Sequence, residues 1–168
     1  TLKITPELLS KIEKVANESH FMLRRGIFFS HRDLNRLLDD YEKGKKFFLY
    51  TGRGPSGHTH IGHLVPWVFA KWLQDKFDTK MYFQLTDDEK FWSKKDMTLE
   101  KTSKFALENA LDFIALGFKP ENTKIIIDTK NIKTVYPIAA EFAKRINFSN
   151  TKAVFGFENE TNIGMIFY

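Results

Sequence analysis

The sequence predicts an α/β fold in which a parallel sheet is covered by helices on both faces. Three short apolar runs have the length and composition of strands that are buried on both sides, namely residues 47–51, 81–85 and 125–128. A longer stretch with apolar residues three or four apart follows each run, and this is the spacing of an amphipathic helix. Because strands that alternate with helices pair in parallel, we expect ligands to bind at the carboxyl ends of these strands.

Two helices are predicted ahead of the first strand. Residues 5–18 have the helical spacing, with Thr5 as the cap and Pro6 in the first turn. Ser30 is a favourable cap for a second helix over residues 31–43, which Gly44 is expected to end.

Three further helices are predicted among the strands. They cover residues 62–77, residues 98–116 and a stretch through residues 135–146. Gly117 directly follows the second of them and is its expected stop. Trp67, in the first of them, is predicted to be a core residue.

The composition excludes several classes of protein. An apolar fraction of 42% with 17 Phe is typical of a globular chain, and 168 residues suffice for one domain with a core. The absence of cysteine excludes disulfides and thiolate zinc sites. No run approaches about 18 apolar residues, so we expect a cytoplasmic protein without a membrane span. The net charge of +5 suits a polyanionic partner, although many proteins that bind no nucleic acid are as basic.

Four glycines and three histidines stand in residues 52–63, between the first strand and the helix that follows it. Glycine lets a ligand approach the backbone closely, and the free N–H groups of a helix start attract phosphate. Two other interpretations stay open. The segment is either a plain tight connection, or a zinc site formed by His58, His60 and His63. It matches neither the dinucleotide fingerprint nor the phosphate loop that ends in Lys-Ser/Thr.

Polar residues also follow the second predicted strand. Gln84 and Thr86 alternate with Leu85 and therefore share a face. Three carboxylates then crowd the carboxyl edge of the sheet in residues 87–89. They could form a solvated acidic turn that caps a helix, or ligate magnesium.

One segment resembles a known signature. His60-Ile61-Gly62-His63 matches letter for letter the HIGH motif of class I aminoacyl-tRNA synthetases, and Pro55-Ser56-Gly57 resembles the element that precedes it there. Further segments resemble the tryptophanyl-tRNA synthetases of eukaryotes and archaea, namely residues 25–33, 50–56, 70–75, 86–90 and 155–157. The likeness covers about residues 25–168. One departure is that the stretch between Pro55 and His60 looks one residue shorter than in many eukaryotic members.

The resemblance implies a Rossmann-like catalytic core. Residues 1–44 would be an N-terminal helical lead-in, and residues 45–168 the first part of the catalytic domain. The second half of that domain, its loop with a signature lysine and the anticodon-binding domain are expected outside these residues.

The resemblance also implies a reaction and its residues. ATP, as its Mg²⁺ complex, would activate L-tryptophan to the adenylate, which is then transferred to tRNA(Trp); a homodimer without a resident metal is expected. The ATP site would comprise Gly52, Arg53, Gly54, His60, Gly62 and His63. Catalysis would use His60, His63 and Lys90. Tryptophan would be bound by Tyr50, Gln84, Thr86 and Glu89, with a buried tyrosine hydroxyl and the glutamine amide at the indole nitrogen.

Three alternatives stay open from the sequence. A tyrosyl-tRNA synthetase shares the fold and the reaction. A nucleotidyltransferase could use the same His-Gly-His geometry without tRNA. A synthetase-like protein that regulates or binds without catalysis is the third.

Overall fold

The computed structural model describes residues 1–167, and its N-terminal part is a set of helices beside a short two-stranded pairing. In chain order the elements are β1 (Leu2–Lys3), α1 (Pro6–Ala16), α2 (Phe21–Arg24), β2 (Ser30–His31) and α3 (Leu34–Glu42). The two strands are antiparallel, with Leu2 opposite His31 and Lys3 opposite Ser30.

The first predicted helix is confirmed. Leu8 N donates to Thr5 Oγ1 at 3.3 Å, so Thr5 caps α1 as expected. The helix ends at Ala16, where Asn17 adopts the left-handed conformation with φ 59°.

The predicted start of the second helix is wrong. Ser30 does not cap it, because the Ser30 backbone pairs with Lys3 as part of β2. The helix begins at Leu34 instead, and Leu34 N donates to His31 Nδ1 at 3.2 Å. Gly44 follows the end of α3 with φ 81°, in agreement with the prediction.

The predicted α/β class is confirmed by a three-stranded parallel sheet flanked by helices. The elements are β3 (Phe48–Arg53), α4 (Ile61–Phe77), β4 (Lys80–Leu85), α5 (Asp87–Ser93), α6 (Leu99–Ala115), β5 (Thr123–Ile127), α7 (Asp128–Ala143), α8 (Phe148–Phe155) and α9 (Ile163–Phe167). The strand order is β3-β4-β5. The sequence does not predict helix α5, because the three acidic residues at its start are typical of a solvated turn.

The position of each strand in the sheet decides its burial. In the central strand β4, Met81, Phe83 and Leu85 are fully buried. In the edge strand β3 no residue is fully buried, and Phe48 is 64% exposed. The prediction that this strand is buried on both faces is therefore wrong. The strand also continues through Gly52 and Arg53, which had been placed in the turn.

The chain forms two compact units, each assembled from three segments. The first consists of residues 1–50, 60–81 and 116–124. Its core contains Leu8, Ile12, Leu23 and Leu38, against which Phe69 and Trp72 of α4 pack. The second consists of residues 51–59, 82–115 and the segment that starts at Ile125.

The core of the second unit combines an aromatic stack with a buried carboxylate. Phe83 and Phe113 stack with ring centroids 3.8 Å apart. Asp87 is fully buried and accepts hydrogen bonds from Ser103 Oγ at 3.3 Å and from Thr129 N and Oγ1 at 3.1 and 2.6 Å. One side chain of α5 thereby ties together α6 and α7, and Asp87 does not lie in a solvated turn.

The structure also bears on the predicted burial of Trp67 and on membrane-spanning helices. Trp67 is 1% exposed and is a core residue, as predicted. Within residues 1–167, no helix is both long enough and apolar enough to cross a bilayer.

Candidate active site

The two signature histidines cap the start of helix α4 in the first unit. His60 precedes the helix in an extended conformation, and its Nδ1 accepts a hydrogen bond from Gly62 N at 3.2 Å. His63 Nδ1 accepts from His60 N at the same distance. The two imidazole rings lie 3.8 Å apart. A ring nitrogen that accepts a hydrogen bond carries no proton, so each neutral ring holds its proton on Nε2.

This geometry makes the helix start a donor site. Two Nε2–H groups stand at the start of a 17-residue helix whose N-terminus carries partial positive charge. Gly62 lies between them, and a Cβ there would come within 3.1 Å of the His60 ring. The arrangement suits a phosphate oxygen, as the sequence predicts for His60, Gly62 and His63.

The zinc interpretation of the three histidines is not supported. His58 belongs to the second unit, where its Nδ1 lies 3.3 Å from Glu108 Oε2 and its ring contacts Phe105 edge-on. Nowhere in the described part of the chain do three His, Cys, Asp or Glu side chains come together as a metal site.

In the second unit the side chain of Arg53 holds the glycine-rich turn by hydrogen bonds. Its guanidinium donates to Gly57 O at 3.1 Å, to His58 O at 2.9 Å and to Thr59 Oγ1 at 3.1 Å. The structure therefore joins Arg53, a predicted ATP-binding residue, to the backbone of its own turn. Arg53 shapes the loop that precedes the signature.

Two side chains of helix α6 also form hydrogen bonds with this turn. Asn109 Nδ2 donates to Gly57 O at 3.1 Å, and Thr59 Oγ1 donates to Asp112. Neither Asn109 nor Asp112 is predicted from the sequence, because the apolar spacing that indicates α6 does not show what its polar residues contact.

Two of the three predicted ATP-site glycines, Gly52 and Gly54, each leave room for a neighbouring residue. A Cβ on Gly52 would lie 2.5 Å from Gln84 O in the adjacent strand, so close strand pairing requires glycine there. A Cβ on Gly54 would lie 2.6 Å from Glu89 Oε2 and would also collide with Lys90. Gly54 thus makes space for side chains of α5.

Those α5 side chains form a small charged cluster. Lys90 Nζ lies 2.7 Å from Glu89 Oε1, and Thr86 Oγ1 donates to Glu89 Oε2 at 3.2 Å. The side chains of Glu89 and Lys90 are 18% and 25% exposed. Three predicted site residues are therefore brought together, with an oriented carboxylate that could accept the ammonium group of an amino acid.

Gln84 is oriented by a residue that sequence reasoning missed. Its Nε2 donates to both carboxylate oxygens of Asp128, at 2.8 Å to Oδ1 and 2.9 Å to Oδ2. The sequence predicts Asp128 at the end of a strand, whereas it is the first residue of α7 and is 4% exposed. Burial raises the pKa of Asp128 to about 6, the negative charges of Asp88 and Asp87 add to this rise, and the hydrogen bond from Gln84 opposes it. Burial also raises the pKa of Asp88.

Asp128 should make the stability of the chain depend on pH. Its pKa is near 4 when unfolded and about 6 when folded, so the folded state keeps its proton longer. The stability contributed by Asp128 is full below about pH 4 and is lost as the pH rises through about 6. Relative to Asp128→Asn, the wild-type chain should lose on the order of 2 kcal/mol of unfolding free energy over that range.

Urea unfolding of both proteins at a series of pH values measures this difference. Groups that the two proteins share cancel in the comparison. A difference that stays constant between pH 4 and pH 7 would show that Asp128 has an ordinary pKa.

The predicted residues divide between the two units. Tyr50, His60, Gly62 and His63 belong to the first. The second contains Gly52, Arg53, Gly54, Gln84, Thr86, Glu89 and Lys90. The expected burial of Tyr50 is wrong, since it is 63% exposed on the edge strand β3.

Comparison with known proteins gives one consistent result. Residues 42–161 match the family model of class I tRNA synthetases for W and Y. The chain is 55% identical over 165 residues to the tryptophan–tRNA ligase of Pyrobaculum calidifontis and 51% identical over 169 residues to that of Pyrococcus furiosus. These alignments cover 98% and 100% of this chain, which spans 44% of the length of each relative.

Solved structures agree. The Plasmodium falciparum tryptophanyl-tRNA synthetase matches 99% of this chain with a TM-score of 0.93 and 43% identity, and the chain covers 46% of it. The Encephalitozoon cuniculi enzyme bound to tryptophan matches 99% with a TM-score of 0.92 and 39% identity, again with 46% of that chain covered.

Proposed function

Because the chain belongs to the class I tRNA synthetases of the tryptophan and tyrosine family, we propose that it supplies the first part of the active site of a tryptophan–tRNA ligase. The reaction would join tryptophan to ATP as tryptophanyl-adenylate and then transfer it to tRNA(Trp). The first half-reaction is attack of the tryptophan carboxylate on the α-phosphorus, with pyrophosphate leaving.

The observation that carries this proposal is the oriented pair of polar groups near the carboxyl end of β4. The carboxylate of Glu89 is held by Lys90 and Thr86, and the amide of Gln84 is held by Asp128. An amino acid with an ammonium group and a ring N–H offers one partner to each. Tryptophan has both, whereas phenylalanine has no ring N–H to donate to the Gln84 amide oxygen, at a high cost.

The histidines would act on the phosphate. A carboxylate nucleophile needs no general base, so catalysis rests on positioning and on donors aimed at the developing charge. The Nε2–H groups of His60 and His63 and the N-terminus of α4 would donate to the phosphate oxygens, and Lys90 could meet the substrate carboxylate or the α-phosphate.

Magnesium would arrive with ATP and neutralise the leaving pyrophosphate. The carboxylates of Asp87 and Asp128 already accept hydrogen bonds from Thr129 and Gln84, which suits a metal carried by the nucleotide better than one held by these residues. A homodimer that acts in the cytoplasm on tRNA(Trp) completes the proposal.

Exchange of radiolabelled pyrophosphate into ATP tests the function. A polypeptide as long as the curated relatives would be assayed with each amino acid in turn, and tryptophan alone should stimulate exchange. Stimulation by tyrosine would support the tyrosyl alternative, which the family model also includes. Exchange that needs no amino acid would indicate a nucleotidyltransferase, and ATP binding without exchange a non-catalytic protein.

The cluster beside Gly54 gives a first mutational prediction. Gly54→Ala in the same polypeptide should raise KM for tryptophan roughly 10-fold, because the new Cβ displaces Glu89 and Lys90 at a cost of about 1–2 kcal/mol. The neighbours that must move are the ends of flexible side chains, so Tm should change little. Gly57→Ala is the matched control, since nothing lies within 4 Å of its added Cβ. Equal effects of the two substitutions on KM would contradict the assignment.

A further inference from the structure

A glutamine amide recognises a ring N–H only when it presents its oxygen. The two ends of the Gln84 side chain are chemically opposite, because Nε2 donates two hydrogen bonds and Oε1 accepts. A half-turn about the last side-chain torsion exchanges the two ends at almost no change in shape. The reversed amide would point an N–H group at the N–H group of an indole, and recognition would fail.

Asp128 removes this ambiguity. Both of its carboxylate oxygens lie within 2.9 Å of Gln84 Nε2, and an ionised carboxylate only accepts hydrogen bonds. The nitrogen end of the amide is therefore held on the Asp128 side. Since Oε1 is bonded to the same carbon as Nε2, the oxygen is turned away from Asp128.

The position of Asp128 makes this orientation rigid. It is the first residue of the 16-residue helix α7 and follows β5 directly, beside the strand that carries Gln84. Its side chain is almost completely buried, so water competes little for the hydrogen bonds from Gln84. Burying a carboxylate there costs stability, as its raised pKa indicates, and an apolar residue would avoid that cost.

We propose that Asp128 is a positioning residue for amino-acid selectivity, which orients the Gln84 amide so that its oxygen accepts the indole N–H of tryptophan. The inference rests on the proposed function and extends it to a residue outside the predicted site. Asp128 acts through Gln84 and makes no contact with the substrate.

A tryptophan analogue separates this role from a structural one. In 3-benzothienyl-alanine a sulfur atom replaces the ring N–H, so the analogue keeps the shape of tryptophan but cannot donate to Oε1. Exchange kinetics would be measured with both amino acids in a polypeptide of the relatives' length. Asp128→Ala should raise KM for tryptophan up to about 10-fold, the equivalent of one net hydrogen bond, and leave KM for the analogue and for ATP unchanged.

Two further variants sharpen the test. On a Gln84→Ala background, Asp128→Ala should not change the preference for tryptophan over the analogue any further, because its target is gone. Asn131→Ala is the matched control: Asn131 Nδ2 donates to Ile127 O at 2.8 Å in the same first turn of α7, so its loss perturbs the helix start without touching Gln84. The control should keep the wild-type preference.

The outcomes are distinct. If Asp128→Ala raises KM for tryptophan and KM for the analogue by the same factor, Asp128 has only a structural role and the inference is overturned. An unchanged preference for tryptophan over the analogue overturns it as well. If Asp128→Ala does not fold, tryptophan binding by Asp128→Leu, which has a similar size and offers no acceptor, decides in the same way. A wild-type protein that does not exchange with tryptophan would overturn the proposed function itself, whereas normal exchange with an unchanged preference overturns this inference alone.

Discussion

His63→Ala should slow adenylate formation about 10²-fold or more and leave tryptophan affinity nearly unchanged. In the proposed reaction the Nε2–H group of His63 would face charge that develops on the phosphate only as the carboxylate attacks, and loss of one such donor typically has an effect of this size. His63 Nδ1 also accepts from His60 N, so the variant should lose about 1 kcal/mol of stability as well.

Single-turnover adenylation and tryptophan titration, at a temperature well below Tm, separate the two effects. His58→Ala is the control, because His58 lies in the same glycine-rich segment with its side chain 86% exposed and outside the helix start. If His63→Ala lowers tryptophan affinity and rate equally, or if unfolding accounts for the loss, the histidine is structural and its assigned role is wrong.

Gln84→Ala should reduce discrimination between tryptophan and phenylalanine by up to about 100-fold. In the proposed site the Gln84 amide oxygen would reject phenylalanine, because a ring without an N–H offers it no donor, at a cost of roughly 1–3 kcal/mol. Removing the amide removes that cost for phenylalanine and the hydrogen bond for tryptophan together. KM for ATP should not change. Tyr50→Phe should also reduce the discrimination between tryptophan and phenylalanine, but by a smaller factor.

The ratio of kcat/KM for the two amino acids measures the prediction. Gln74→Ala provides a control of the same chemical type, since Gln74 is fully buried in the first unit and bonds to Thr123 Oγ1 and Lys119 N. That variant should lower Tm without changing selectivity. An unchanged ratio in Gln84→Ala would show that the pocket has been assigned to the wrong residues.

Local patterns predicted most of the elements correctly. The cap at Thr5, the helices α4 and α6 and the strand β4 depend on neighbouring residues and on side-chain spacing, both of which the sequence displays. The prediction that Ser30 caps a helix is wrong because the conformation of Ser30 depends on a distant residue. The Ser30 backbone pairs with Lys3, 27 positions earlier, and no local preference reveals a pairing of that kind. The resemblance to tryptophanyl-tRNA synthetases is confirmed by the curated relatives and the solved structures.

The residue types of the candidate site were predictable from the sequence, but the residues that orient them were not. Motifs and strand ends pointed to His60, Gln84 and Glu89. The residues that orient them come from elsewhere: Asp128 lies 44 positions after Gln84, and Asn109 lies 52 positions after Gly57. The full burial of Asp87 was equally invisible, because three adjacent acidic letters suggest a solvated turn. Only the packing of α5, α6 and α7 shows which of them faces inward.

The interleaving of the two compact units bears on the order of events during folding. Residues 51–59 of the second unit interrupt the first, and residues 116–124 of the first interrupt the second. During synthesis α4 must emerge before Phe69 and Trp72 can pack against the core of the N-terminal helices. The first unit is complete only after residues 116–124 have been made, when about half of the second has already emerged. Contacts between such distant segments close long loops, which slows folding and prolongs the exposure of apolar surface. Neither unit can therefore finish folding before a segment of the other has been made, and apolar surface that these later segments cover stays exposed until they emerge.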